Sequence, residues 1–117
     1  MAAARDALLD FCRALPGVTE DVKWEKNLVF SVGEKMFCVF GLPETETLSF
    51  KVDADAFEAL VNRPGIVPAP YLARHSWIFL ESRDALPRDF LEELIERSHE
   101  QVAAKLPKKL RESLGLS

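Results

Sequence analysis

Residues 27–40 read NLVFSVGEKMFCVF, and this stretch decides the fold. Two runs rich in β-branched and aromatic side chains flank Gly33-Glu34, a pair suited to a two-residue hairpin whose first position needs positive φ. Period-two alternation puts Leu28, Phe30 and Val32 on one face of the first strand, Asn27–Val32. In the second strand, Lys35–Phe40, it puts Met36, Cys38 and Phe40 on one face and Phe37 and Val39 on the other. Val29 sides with Phe37 and Val39, so both faces of the sheet carry large apolar groups.

Downstream, Gly41 and Pro43 break the second strand, and Thr47–Val52 reads as a third with Leu48, Phe50 and Val52 inward. Asp53 then caps a helix over Ala54–Asn62, whose buried side is Phe57, Leu60 and Val61. Pro64, Pro68 and Pro70 keep the next loop extended; Tyr71–Ala73 suits a short strand and Ser76–Glu81 a stronger one. Pro87 suits the first turn of a long helix in which Phe90, Leu91, Leu94, Ile95, Ser98 and Val102 recur at helical spacing to about Leu106. Pro107 stops it, and the basic tail has room for one more turn. Upstream, Ala4, Leu8, Phe11, Cys12 and Leu15 form the stripe of a helix over Ala3–Ala14, ended by Pro16-Gly17. The polar segment from there through Trp24 reads as irregular. The order α-β(3)-α-β(2)-α, with consecutive hairpins, predicts an α+β two-layer sandwich: an antiparallel sheet covered by helices on one face.

A chain of 117 residues, 48% hydrophobic, has the size of one domain and can bury a core without disulfide or metal. The opening residues lead directly into an amphipathic pattern rather than a signal peptide, and no apolar run is long enough to span a bilayer. A cytoplasmic location and no membrane partner are therefore expected. Cys12 and Cys38 sit among apolar neighbours and read as small buried hydrophobes. The net charge of −4 is unevenly spread. Residues 105–117 sum to +3 through Lys105, Lys108, Lys109 and Arg111 against Glu112, and residues 59–80 contain no acid. An acidic whole with local basic patches is compatible with nucleic acid without favouring it.

Catalytic templates fail at identifiable positions. His99-Glu100 begins H-E-x-x-H, but Ala103 stands where the second zinc ligand belongs. Asp53 and Asp55 imitate the start of a calcium loop, but Glu58 occupies the glycine position. No G-x-S-x-G or phosphate-cradling glycine loop occurs. The expectation is a non-enzymatic protein with no cofactor, no metal and no catalytic residues. Trp77, in an apolar strand, reads as core, and Trp24 as a cap on one end of it. Arg74 and His75 fall at an exposed bend, and Lys51 reads as an outward charge on its strand.

Several phrases, in this order, resemble the MmcQ/YjbR family: Leu15-Pro16-Gly17, Val32-Gly33-Glu34-Lys35-Met36-Phe37, Phe50-Lys51-Val52-Asp53, Pro64-Gly65-Ile66-Val67-Pro68, Tyr71-Leu72, Arg74-His75-Ser76-Trp77-Ile78 and Leu106-Pro107-Lys108-Lys109-Leu110. The resemblance runs from about Phe11 to Leu110. It implies a fold similar to type III secretion chaperones, and DNA binding through a double-wing motif of two projecting β-hairpins. On that basis Lys26, Lys35, Lys51, Arg74, His75, Lys105, Lys108, Lys109 and Arg111 are the candidate nucleic-acid contacts, for weak and non-specific binding. Glu34, at the tip of the first wing, stands where a phosphate contact would prefer a cation. The alternative is a protein-interaction or chaperone-like adaptor that could self-associate through an apolar sheet face.

Overall fold

The computed structural model describes residues 5–24, 27–41, 45–70 and 72–116. Helix α1 (Arg5–Arg13) is followed by strands β1 (Val18–Lys23), β2 (Asn27–Val32), β3 (Lys35–Phe40) and β4 (Leu48–Lys51). Helix α2 (Ala54–Leu60), strands β5 (Ile66–Pro68) and β6 (Trp77–Leu80), and helices α3 (Arg88–Ala104) and α4 (Lys108–Ser113) complete the order. The strands form one antiparallel sheet in the order β1-β2-β3-β4-β6-β5. Its inner face contributes Phe30, Cys38, Phe40, Leu48, Phe50, Ile78 and Leu80 to one core, which α1, α2 and α3 close with Leu8, Leu60, Leu91 and Ile95. The predicted α+β sandwich, helices on one face, is the observed architecture.

Two strands lie where the sequence reading placed none. β1 occupies the polar segment read as irregular. It pairs along its length with β2, yet only Val18 is even partly buried. An edge strand of this kind is held by backbone hydrogen bonds and shows no apolar alternation, and its charges guard the open edge. β5 is the opposite edge, in the proline-rich stretch read as a loop; Pro68 is tolerated because an edge position can dispense with a donor. The short strand expected at Tyr71–Ala73 is not formed: Tyr71 lies outside the described residues, and Ala73–His75 is a 3-10 turn closed by Ser76 at φ 64°. The extra turn anticipated in the basic tail is α4. Asp53 caps α2 as expected, its Oδ1 accepting from the Ala56 N–H at 2.8 Å.

The assignment of Phe37 to the outer face is corrected. Ser31 pairs with Met36 and Phe30 with Cys38, so Phe37 is an extra residue bulged out of the ladder. The bulge turns Phe37 to the same side as Cys38. Phe37 is fully buried in the core, edge-on to the His99 ring of α3 at 5.2 Å, while Met36 and Val39 share the outer face. The buried Ser98 hydroxyl of α3 donates to the Phe37 carbonyl at 2.7 Å and accepts from the Lys51 N–H at 3.2 Å. Direct pairing of β3 with β4 stops at Cys38–Phe50, one residue short of Phe37 and Lys51. The hydroxyl stands in for the next rung.

The thiols of Cys12 and Cys38 are free, fully buried and neighbours across the α1–sheet interface. Burial pushes the Cys38 thiol well above its ordinary range, and Cys12 adds to the shift. His99 Nε2 donates to the Pro16 carbonyl at 2.7 Å, fastening the end of α1 to α3.

Candidate anion site at the end of the sheet

The strand and helix ends bring together three lysines and a histidine that are far apart in sequence. Lys35 opens β3, Lys51 closes β4, His75 lies in the 3-10 turn before β6, and Lys105 caps the C-terminus of α3. All four line one cleft of about 660 Å³, whose remaining wall includes Met36, Leu72, Trp77 and Leu106. Arg74 adjoins it, its Nε donating to His75 Nε2 at 3.3 Å. Among the described residues, none of Lys35, Lys51, Arg74 and Lys105 makes an ion pair. No carboxylate among the described residues lines the cleft; Asp53, two residues beyond Lys51, is occupied as the α2 cap, and Glu34, next to Lys35, is exposed.

Lys51 is the most constrained of these groups. Its Nζ donates to the His75 carbonyl at 2.5 Å. Its pKa is lowered, first by burial and then by the positive charge of Lys105. An ammonium held beside a second ammonium without a carboxylate is electrostatically unfavourable, and an anion in the cleft would relieve it.

Of the remaining candidates, none among the described residues lines this cleft. Lys26 lies outside the described residues. On α4, Lys108 reaches Glu112 at 4.0 Å and Lys109 points to solvent, while Arg111 lines a separate cleft with Glu96, His99 and Glu100. Of the described tail cations, Lys105 lines the cleft with Lys35 and Lys51, and Arg111 lines another. The Gly33-Glu34 turn does not project freely either: Gly33, at φ 57°, packs against Leu106 and Leu110 where α3 meets α4.

A second cleft, of about 480 Å³, lies on the helix-free face and shares Met36, Leu72 and Trp77 with the first. The register sets Val29, Val39, Ser49, Phe79 and Val67 side by side across that face. Ala69, Pro70 and Leu72 fold back over it, and Trp24 flanks it. Trp77 is buried as expected, but on this face rather than in the helix-covered core. The reading of Trp24 as a core cap is corrected. It sits at φ 49° at the end of β1 and is 58% exposed, because a residue at an edge-hairpin turn has no layer above it. The sequence carried one signal for this cleft, the apolar residues on both strand faces; the contribution of Leu72 was not visible there.

The YjbR family model matches residues 13–101, most of the chain and the whole of the sheet. This chain belongs to the YjbR family. The structure is similar to the crystal structure of Deinococcus radiodurans protein DR2400, described by the domain DUF419, at 30% identity and a TM-score of 0.84, covering 96% of this chain and 88% of that one. A Pseudomonas syringae protein shares the fold at 22% identity and a TM-score of 0.69, covering 86% of this chain and 99% of that one. No curated protein matches significantly. The matched YjbR segment contains Lys35, Lys51, Arg74 and His75, whereas Lys105 and α4 lie beyond its end. No helix among the described residues is long and apolar enough to cross a membrane.

Proposed function

We propose that this YjbR domain is a non-enzymatic, low-affinity nucleic-acid-binding protein that holds backbone phosphates at the sheet end. The reading rests on one observation: Lys35, Lys51, Lys105 and His75 converge on one cleft from four separate elements, and none of the three lysines has a described ion-pair partner. A net charge of −4 opposes long-range attraction, so binding depends on short-range phosphate contacts and remains weak. The contact surface in this reading is the cleft mouth rather than two free wings.

Fluorescence anisotropy with labelled oligonucleotides at two salt concentrations tests it. Three phosphate contacts give a slope of log affinity against log salt of about −2 for single strands and about −3 for duplex. The triple variant Lys35→Ala, Lys51→Ala, Lys105→Ala is expected to abolish that salt dependence while retaining the native circular dichroism spectrum. Absence of salt-dependent binding at tens of micromolar wild-type protein would overturn the proposal.

A protein-interaction role has its own support in exposed Val22 and Trp24 at the open β1 edge. A strictly monomeric protein by light scattering, unchanged by Val22→Lys, would argue against self-association there.

A further inference from the structure

We infer that the cleft on the helix-free face receives an unpaired nucleobase, which makes single-stranded rather than duplex nucleic acid the preferred ligand; this rests on the phosphate-binding reading above. Shape is the first argument. Val39, Ser49 and Phe79 lie on three adjacent strands in one register row and make a floor that is apolar except for the Ser49 hydroxyl, with Trp24 at the flank and Trp77 and Leu72 toward the lysines. A broad floor with aromatic walls suits a planar ring, and about 480 Å³ lies within the range of small-ligand sites.

The second argument is polar chemistry. Asn27 and Ser49 line the same cleft, and among the described residues neither side chain makes a hydrogen bond. An amide and a hydroxyl can donate to and accept from a base edge without selecting one base strongly. Charge complementarity is the third. Lys51 lies two residues beyond Ser49 on β4, about 6.8 Å along the strand, a separation that one sugar bridges. A base on the Ser49 row thus sets its own phosphate at Lys51, with Lys35 and Lys105 beside it. In a duplex the bases are stacked and paired, so the cleft would stay empty and only phosphate contacts would remain.

Three ligands of equal length separate this inference from the reading beneath it: a single-stranded oligothymidylate, a duplex, and an abasic sugar-phosphate strand. At one salt concentration the oligothymidylate should bind about tenfold tighter than the abasic strand, as expected for one stacked base, and tighter than the duplex. Trp24→Ala and Asn27→Ala should lower oligothymidylate affinity severalfold and leave abasic-strand affinity unchanged. Equal, salt-dependent binding of oligothymidylate and abasic strand would overturn the base site and leave phosphate binding standing. Binding of none of the three would overturn both.

Discussion

Ser98→Ala removes one oxygen atom and tests how the bulged sheet is held. In the native protein that oxygen accepts from the Lys51 N–H and donates to the Phe37 carbonyl, and Ser98 is fully buried. Alanine leaves both backbone groups without this partner, the Phe37 carbonyl in a buried position and the Lys51 N–H in a part-buried one. A typical hydrogen bond contributes about 1 kcal/mol net, and a buried acceptor left bare costs about 1–3 kcal/mol. The two losses together predict about 2–4 kcal/mol. The volume change is small, so the loss is assigned to hydrogen bonding rather than to a cavity. At about 4 °C per kcal/mol for a domain of this size, the melting temperature should fall by roughly 8–16 °C. Urea denaturation should show a lower midpoint at unchanged slope, the signature of altered stability without altered compactness. Ser98→Thr, which keeps the hydroxyl, should recover part of the loss. A Ser98→Ala protein within about 0.5 kcal/mol of wild type would refute the argument, because it would mean that the strands pair directly without the hydroxyl.

Gly33→Ala should destabilise the fold by about 2 kcal/mol or more, measured by urea denaturation: left-handed backbone disfavours a Cβ, and that Cβ would meet Leu106 Cδ1 at 2.6 Å. Asp53→Ala should cost about 1 kcal/mol by loss of the α2 cap, with Asp53→Asn recovering most of it in thermal melts. Glu20, bonded to Arg13 at 2.8 and 3.1 Å, has its carboxyl pKa lowered chiefly by that bond. A depressed folded-state value gives stability above the unfolded carboxylate pKa that disappears as pH falls through the folded one. Glu20→Gln should therefore flatten the stability profile between about pH 5 and pH 3, with little effect elsewhere because the pair is exposed.

The sheet centre and the helices were legible because burial writes a period into the sequence. Leu28–Val32 alternates, α3 repeats Leu91, Leu94, Ile95, Ser98 and Val102 toward the core, and Asp53 announces α2 chemically. The edges were not legible, since β1 and β5 are specified by partners rather than by their own side chains. Nor was the bulge: strict alternation has no place for an added residue, and what stabilises this one is Ser98, sixty-one positions away. The group at the sheet end was half legible. Sequence singled out Lys35, Lys51, His75 and Lys105, but their meeting depends on strand order and on where α3 ends, as does the departure of Arg111 to another cleft.

The two thiols sealed between α1 and the sheet have a practical consequence. The sequence holds no other cysteine, so an alkylating reagent meets an unreactive protein until that seam parts. The rate of mass increase in a reagent titration then reads how often the first helix lifts away, residue by residue if each adduct is mapped. The chain thus carries a reporter of its own opening at the place where its layers join, with no engineered label.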